Sequence, residues 1–247
     1  MNSVIKAIIP AGGFGTRFLP ITRAIPKEML PIGDKPIIHY IIQELVDAGI
    51  TELLILVGRG RECLMNYFDA HPELGLSPPF PNISIIYKRV PHPRGVADCV
   101  WHAKDFVGKD RFIVAYSDNV FFNGNPTKEL IDDNALHNKS VVCVVEVDEG
   151  KESKYGIIRH DNFQVREIIE KPSAPPSRLA GFGRYLLSPK IFTLIQADTS
   201  GQVCMSAQLN KLATQNELRA VQTFASAFDT GDKSGWLEAN LFCSCPS

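Results

Sequence analysis

The chain has 247 residues, 45% hydrophobic and 21% charged, the balance of an ordinary globular protein with room for one large α/β domain or two small ones. A formal charge of −1 excludes a surface drawn as a whole to nucleic acid or membrane, and no apolar run approaches the roughly 20 residues of a membrane span. Residues 1–6 lack a signal peptide's hydrophobic region, which predicts a cytoplasmic protein.

Residues 4–9 form an apolar run that predicts a short buried strand. The run breaks into Gly12, Gly13 and Gly15, where missing β-carbons allow positive φ and close approach of another molecule. Backbone N–H groups in such a loop can cradle phosphate oxygens. Arg17 follows at once, and Lys27 comes after it, with prolines at 20, 26 and 31 stiffening this stretch of chain. Two cations beside a glycine loop describe a polyphosphate site. The glycines alone suit a plain strand-to-helix turn equally well. They fit neither the dinucleotide fingerprint nor the P-loop, which needs Gly-Lys-Ser/Thr.

Residues 36–48 predict a helix with Ile37, Ile38, Ile41, Ile42 and Leu45 on one face, ended by Gly49. Residues 52–57 predict a second buried strand, so the three elements read as a right-handed βαβ crossover in a parallel sheet. Arg59 and Arg61 open another helix and are expected to be solvated there. Residues 71–81 are a proline-rich loop, 83–87 a strand, 96–106 a helix and 112–116 a buried strand ending in Ser117, Asp118 and Asn119. Residues 141–147 predict a strand around Cys143, a buried reduced thiol. Residues 155–158 and 165–169 alternate as antiparallel strands, and 182–187 predict a late strand. A helix opening at Ser188-Pro189 and another over 206–216 precede a last strand, 220–228, and the turn from Asp229 to Gly231. The pattern is α/β: one αβα sandwich with a mixed, mostly parallel sheet. The other five cysteines are scattered, and Cys243-Ser244-Cys245 reads as a frayed tail over 241–247, because no second Cys or His pair supports a zinc site.

The string from Lys6 to Pro36 closely resembles the signature of the sugar-1-phosphate nucleotidylyltransferase superfamily. Ala24-Ile-Pro-Lys-Glu-Met-Leu-Pro31 with Asp34-Lys-Pro36 is most similar to that superfamily's bacterial uridylyltransferases, and the likeness runs with gaps from Val4 to about Asn240. The resemblance implies a Rossmann-like, three-layer nucleotide-sugar transferase fold, with 1–120 as the nucleotide half and 121–240 as the sugar half. It implies an enzyme moving a nucleotidyl group from an NTP, UTP above all, to a sugar 1-phosphate, glucose 1-phosphate above all. It also implies Mg2+ and a homodimer or homotetramer, with no nucleic-acid or membrane partner.

Residue by residue, the resemblance makes Arg17, Lys27 and Asp118 catalytic and gives Asp118 and Asp229 the metal. Both aspartates follow strands, where open α/β sheets bind ligands. Ala11, Gly12, Gly13, Gly15, Thr16 and Gly95 match the nucleotide-binding positions. Gly156, Glu170, Lys171 and Gly183 match the sugar-phosphate site, a carboxylate for hydroxyls and an ammonium for phosphate.

Three positions depart from the family. Val90 stands where the family has a base-pairing glutamine. Asp98 stands where it has histidine or glutamine, and beside a triphosphate it must face away or bind metal. Gln202 replaces a sugar-facing acid. The changes leave a transferase of another base, thymidylyl included, and a non-catalytic nucleotide-sugar binder as alternatives.

Overall fold

The computed structural model describes residues 4–196 and 198–244. In chain order the first half runs β1 (Lys6–Ala11), β2 (Pro31–Ile32), β3 (Lys35–Pro36), α1 (Ile37–Asp47), β4 (Glu52–Val57), α2 (Glu62–Phe68), β5 (Ser84–Arg89), α3 (Val96–Trp101), α4 (Lys104–Val107), β6 (Phe112–Ala115) and β7 (Asn119–Phe122). The second half continues α5 (Pro126–His137), β8 (Ser140–Glu146), β9 (Gly156–Asp161), β10 (Gln164–Glu170), β11 (Leu179–Leu187), α6 (Lys190–Gln196), α7 (Met205–Thr214), β12 (Leu218–Gln222), β13 (Ser226–Asp229) and α8 (Lys233–Ser244).

Nine strands form one mixed sheet in the order β5-β4-β1-β6-β11-β8-β12-β10-β9. The N-terminal strands pair in parallel, as the βαβ pattern requires. Beyond β6 the sheet is mostly antiparallel, because β11 enters reversed and β9 and β10 form a hairpin. The expectation of a mostly parallel sheet therefore holds for the first half and not for the second.

Alternation along the strands sends side chains to two cores. Ala7, Ile9 and Ala11 of β1 face the cluster that takes Ile38, Ile41, Ile42 and Leu45 of α1 with Leu64, Leu130 and Ala239. Ile8 faces the other, with Val100, Ile191, Leu209 and Leu212. Helices thus cover both faces, and each buried Ile or Leu contributes about 1.5–3 kcal/mol.

β1, β4 and β6 run side by side in parallel, so their C-terminal ends, Ala11, Val57 and Ala115, share one edge. The loops that follow, 12–15, 58–61 and 116–118, all open there. That edge is where such sheets bind ligands.

Three expectations are corrected. The helix over 96–106 is broken at His102 and Ala103, whose amides donate three residues back, to Cys99 and Val100, and so tighten the turn. The strand over 220–228 is two strands in two sheets. Thr223 ends the first by accepting the Ala225 amide on its hydroxyl, and β13 then pairs with β7. The tail is helical as far as Ser244. Phe242 packs 5.5 Å from Phe122 and 5.1 Å from Phe228, and Trp236 Nε1 donates to the Pro31 carbonyl at 2.7 Å. Cys245 lies outside the described residues.

Candidate active site

The glycine loop leaves β1 where it approaches the end of β4. A β-carbon on Gly58 would stand 2.9 Å from the Gly12 carbonyl, so this pair of strand ends requires glycine. Gly15 takes φ +62, and its carbonyl accepts Thr22 Oγ1 at 2.8 Å. Arg61 is not the solvated helix start expected of it. Its side chain is only 11% exposed, and it donates to the carbonyls of Ala11 at 3.1 Å and Gly13 at 2.5 Å. Carbonyls stranded at the end of β1 need donors, and Arg61 supplies them.

Lys27 begins a single 3₁₀ turn after Pro26 and forms an ion pair with Asp118. Burial pushes the ammonium down, but Asp118, Glu28 and Asp229 outweigh that and hold it above its ordinary 10.5. Glu28, fully buried, accepts Ser117 Oγ at 3.1 Å and lies 3.9 Å from Arg61. Its carboxyl is pushed up by burial, against the pull of Lys27 and Arg61.

Asp118 and Asp229 meet beside Gly231. The position of a β-carbon on Gly231 is 3.1 Å from Asp118 Oδ2, 2.9 Å from Asp229 Oδ1 and 3.5 Å from an Arg17 guanidinium nitrogen. The two loops are tied together, because Thr230 gives its amide and hydroxyl to the Asp118 carbonyl at 2.7 and 2.9 Å. Burial and then the Asp118 charge push the Asp229 carboxyl up.

Two clefts join at Asp118. One, of about 650 Å³, is walled by Gly12, Gly13, Lys27 and Gly95, with the exposed Phe14, Arg59 and His92 at its rim. The other, of about 320 Å³, is walled by Arg17, Gly156, Glu170, Gly183, Gln202 and Asp229, with Lys154 and Cys204 among its further lining groups. Tyr116, Asp118, Gly95 and Val96 belong to both. Gly95 holds φ +131 and is pressed against Val203, whose amide donates to the Arg94 carbonyl at 2.7 Å.

The structure therefore gathers Arg17, Lys27, Asp118 and Asp229 at one place and lines the clefts with Gly12, Gly13, Gly95, Gly156, Glu170 and Gly183. Ala11, Gly15 and Thr16 shape the glycine loop without walling either cleft. Lys171 is exposed, at φ +47, with its amide on the Tyr155 carbonyl, and is not in the cleft wall. Asp98 turns away from the larger cleft. It accepts the Arg94 amide at 3.0 Å and the Arg94 guanidinium at 2.7 Å, and these contacts overcome its burial to hold the carboxyl below its usual range. Val90 is buried in the second core and lines neither cleft.

Sequence reasoning missed Glu28, Arg61, Lys154, Arg184 and Thr230. For Glu28 and Arg184 there was a usable signal, a charge inside an apolar stretch.

A glycine loop and a lysine–aspartate pair at the C-terminal edge of the sheet thus meet a second aspartate carried by β13. The chain belongs to the nucleotidyl transferase family, which it matches over residues 6–244. Within the family it is 36% identical over 270 residues to UTP–glucose-1-phosphate uridylyltransferase 2 of Streptococcus pyogenes serotype M3, covering 98% of this chain and 90% of the relative. Its fold is similar to a UDP-glucose pyrophosphorylase solved with UDP-glucose, at TM-score 0.88 and 29% identity over 97% of this chain and 98% of that one. It is equally similar to the UTP-bound enzyme of Acinetobacter baumannii, at TM-score 0.88 and 29% identity over 97% and 93%.

Proposed function

We propose that this protein transfers the uridylyl group of UTP to glucose 1-phosphate, giving UDP-glucose and pyrophosphate. One observation carries the reading: Arg17, Asp118 and Asp229 converge on one point beside Gly231, with Lys27 paired to Asp118. The names and ligands of the relatives support the choice of base and sugar.

In the reaction an oxygen of the sugar's phosphate attacks the α-phosphorus. A P–O bond forms there while the bond to the β-phosphate breaks, and its electrons leave with pyrophosphate. Such transfer needs alignment and countercharge more than covalent help from the protein. Lys27 and Arg17 set positive charge against the triphosphate and the leaving group. The loop of Ala11, Gly12, Gly13, Gly15 and Thr16, with Gly95, holds the nucleotide. Gly156, Glu170 and Gly183 receive the sugar, and Lys171, whose amide donates to the carbonyl of Tyr155 next to Lys154, meets its phosphate.

Asp118 and Asp229 each bring a carboxylate oxygen to the same side of Gly231, and two hard oxygen donors so placed suit a divalent cation. Among the described residues no group of three or more His, Cys, Asp or Glu makes a closed metal cage. Two carboxylates completed by substrate phosphates suit Mg2+. When bound, Mg2+ would draw charge off the phosphate oxygens.

We read the architecture as a Rossmann-like three-layer αβα sandwich, nucleotide half 1–120 and sugar half 121–240, assembled as a homodimer or homotetramer. A cytoplasmic address agrees with free thiols at Cys63, Cys99, Cys143, Cys204 and Cys243. Pyrophosphate release measured with each of the four NTPs and glucose 1-phosphate tests the activity, and UTP is expected to be preferred. No release with any NTP would overturn it. A preference for the thymidine nucleotide would favour the thymidylyl reading, which the Ser117-Asp118-Asn119-Val120-Phe121-Phe122 segment resembles.

A further inference from the structure

Arg184 is the largest fully buried side chain among the described residues, and it lies beneath the loop that carries Asp118. β11 slips its register against β8 between Gly181 and Tyr185. Within that bulge Gly183 takes φ +55, where a β-carbon would overlap the Asn119 side chain. The guanidinium is thereby delivered between the sheet and α1, over the ring of Phe121.

A guanidinium has five N–H donors, and each of those on Arg184 finds an acceptor. Nε and one terminal nitrogen grip Glu44 of α1 at 3.1 and 2.8 Å. The remaining N–H groups donate to the carbonyls of Asn119 at 3.0 Å, Gly183 at 3.1 Å and Tyr116 at 3.4 Å. Two of these carbonyls bracket Asp118, two residues before it and one after. Glu44 is held in turn by the Thr127 hydroxyl at 2.6 Å.

A buried ion pair is a poor device for stability alone, because well-packed apolar residues of similar volume often serve as well or better. What an apolar side chain cannot do is donate to three carbonyls at once. We infer that Arg184, backed by Glu44, is a positioning residue: it fixes the backbone on both sides of Asp118 so that the carboxylate opens on Asp229 and Lys27. The inference rests on the reading that Asp118 and Asp229 hold the divalent cation.

Mn2+ binding followed by electron paramagnetic resonance tests it on the full chain. The proteins compared are the native chain, Asp118→Asn, Arg184→Lys, and the Glu44→Leu, Arg184→Met double variant, each checked for folding by thermal unfolding. The double variant is expected to fold and to bind Mn2+ about tenfold more weakly, as loss of a group that orients a metal ligand does. Its kcat should fall about tenfold with KM for the NTP within about twofold. Arg184→Lys keeps the charge pair but not the span, and about a threefold weakening is expected. Native-like Mn2+ binding by the folded Arg184 variants overturns the inference, and if the double variant does not fold, Arg184→Lys decides alone. Should Asp118→Asn bind Mn2+ as well as the native chain, the metal reading fails and takes this inference with it.

Discussion

Asp118 and Asp229 face one another across Gly231, each presenting an oxygen about 3 Å from the same point. The two carboxylates sit on separate loops drawn together by Thr230, and their repulsion is countered only in part by Lys27 and Arg17.

Asp229→Asn should therefore make the unliganded protein more stable while destroying its activity. The folded Asp229 carboxyl titrates above its ordinary 3.8, first through burial and then through Asp118. The folded chain thus binds more protons than the unfolded one between the two values, so stability falls as pH rises through that window, and the cost is fully present at neutral pH. Calorimetry should show a higher Tm for the variant at neutral pH and a gain that shrinks as the pH is lowered toward the ordinary 3.8. The rate of pyrophosphate release should drop about 10²-fold or more.

Gly231→Ala puts a methyl group at the meeting point itself, 2.9 Å from Asp229 Oδ1 and 3.1 Å from Asp118 Oδ2. The chain should fold and lose about tenfold or more in kcat, because a displacement of about 1 Å at a reacting centre is already costly. An unchanged kcat would mean that the point between the carboxylates is not used.

Lys27→Ala removes the cation paired with Asp118 and should lower kcat about 10²-fold or more. A change below about threefold would show that another group neutralises the phosphates. Since its neighbours hold the Lys27 ammonium above 10.5, the native rate should show no loss from Lys27 deprotonation between about pH 7 and 9.

Arg61→Met should act on nucleotide binding without touching the nucleotide. Its guanidinium holds the carbonyls of Ala11 and Gly13. Losing those charged hydrogen bonds should raise KM for the NTP about tenfold with little change in kcat. Arg59→Met, at the exposed rim, provides the comparison.

Lys171→Ala and Lys154→Ala separate two ammonium groups near the sugar cleft. Lys154 lines it and Lys171 stands outside the wall. Steady-state kinetics should show both raising KM for glucose 1-phosphate, Lys154→Ala by about tenfold and Lys171→Ala by less. An effect of either confined to the NTP would reverse the assignment.

The parts of this molecule that announce themselves in the sequence are those with a short-range cause. The run into β1, the apolar face of α1 and the strand β4 follow from periodicity, and the glycines mark where the chain must turn. Arg17, Lys27, Asp118 and Asp229 stood out through the resemblance to the family, since an aspartate at a strand end is by itself more often a turn residue. What stayed hidden depends on partners far away in sequence. Asp98 looked like a repulsive neighbour of phosphate until Arg94 was seen to hold it. Arg61 looked solvated because nothing local says that it reaches back 50 residues to Ala11. Only the end of α8, from residue 241, was read as a tail, and residues 232–240 carried no predicted element. Its hold on the rest comes from Pro31, Phe122 and Phe228.

That helix has a consequence for how the protein is made. Trp236 and Asn240 both donate to the carbonyl of Pro31, four residues after Lys27. During synthesis the early lysine turn must wait, with this carbonyl unclaimed by either donor, until more than 200 further residues have left the ribosome. A chain halted before α8 would carry Arg17, Lys27, Asp118 and Asp229 and still lack both donors to the Pro31 carbonyl.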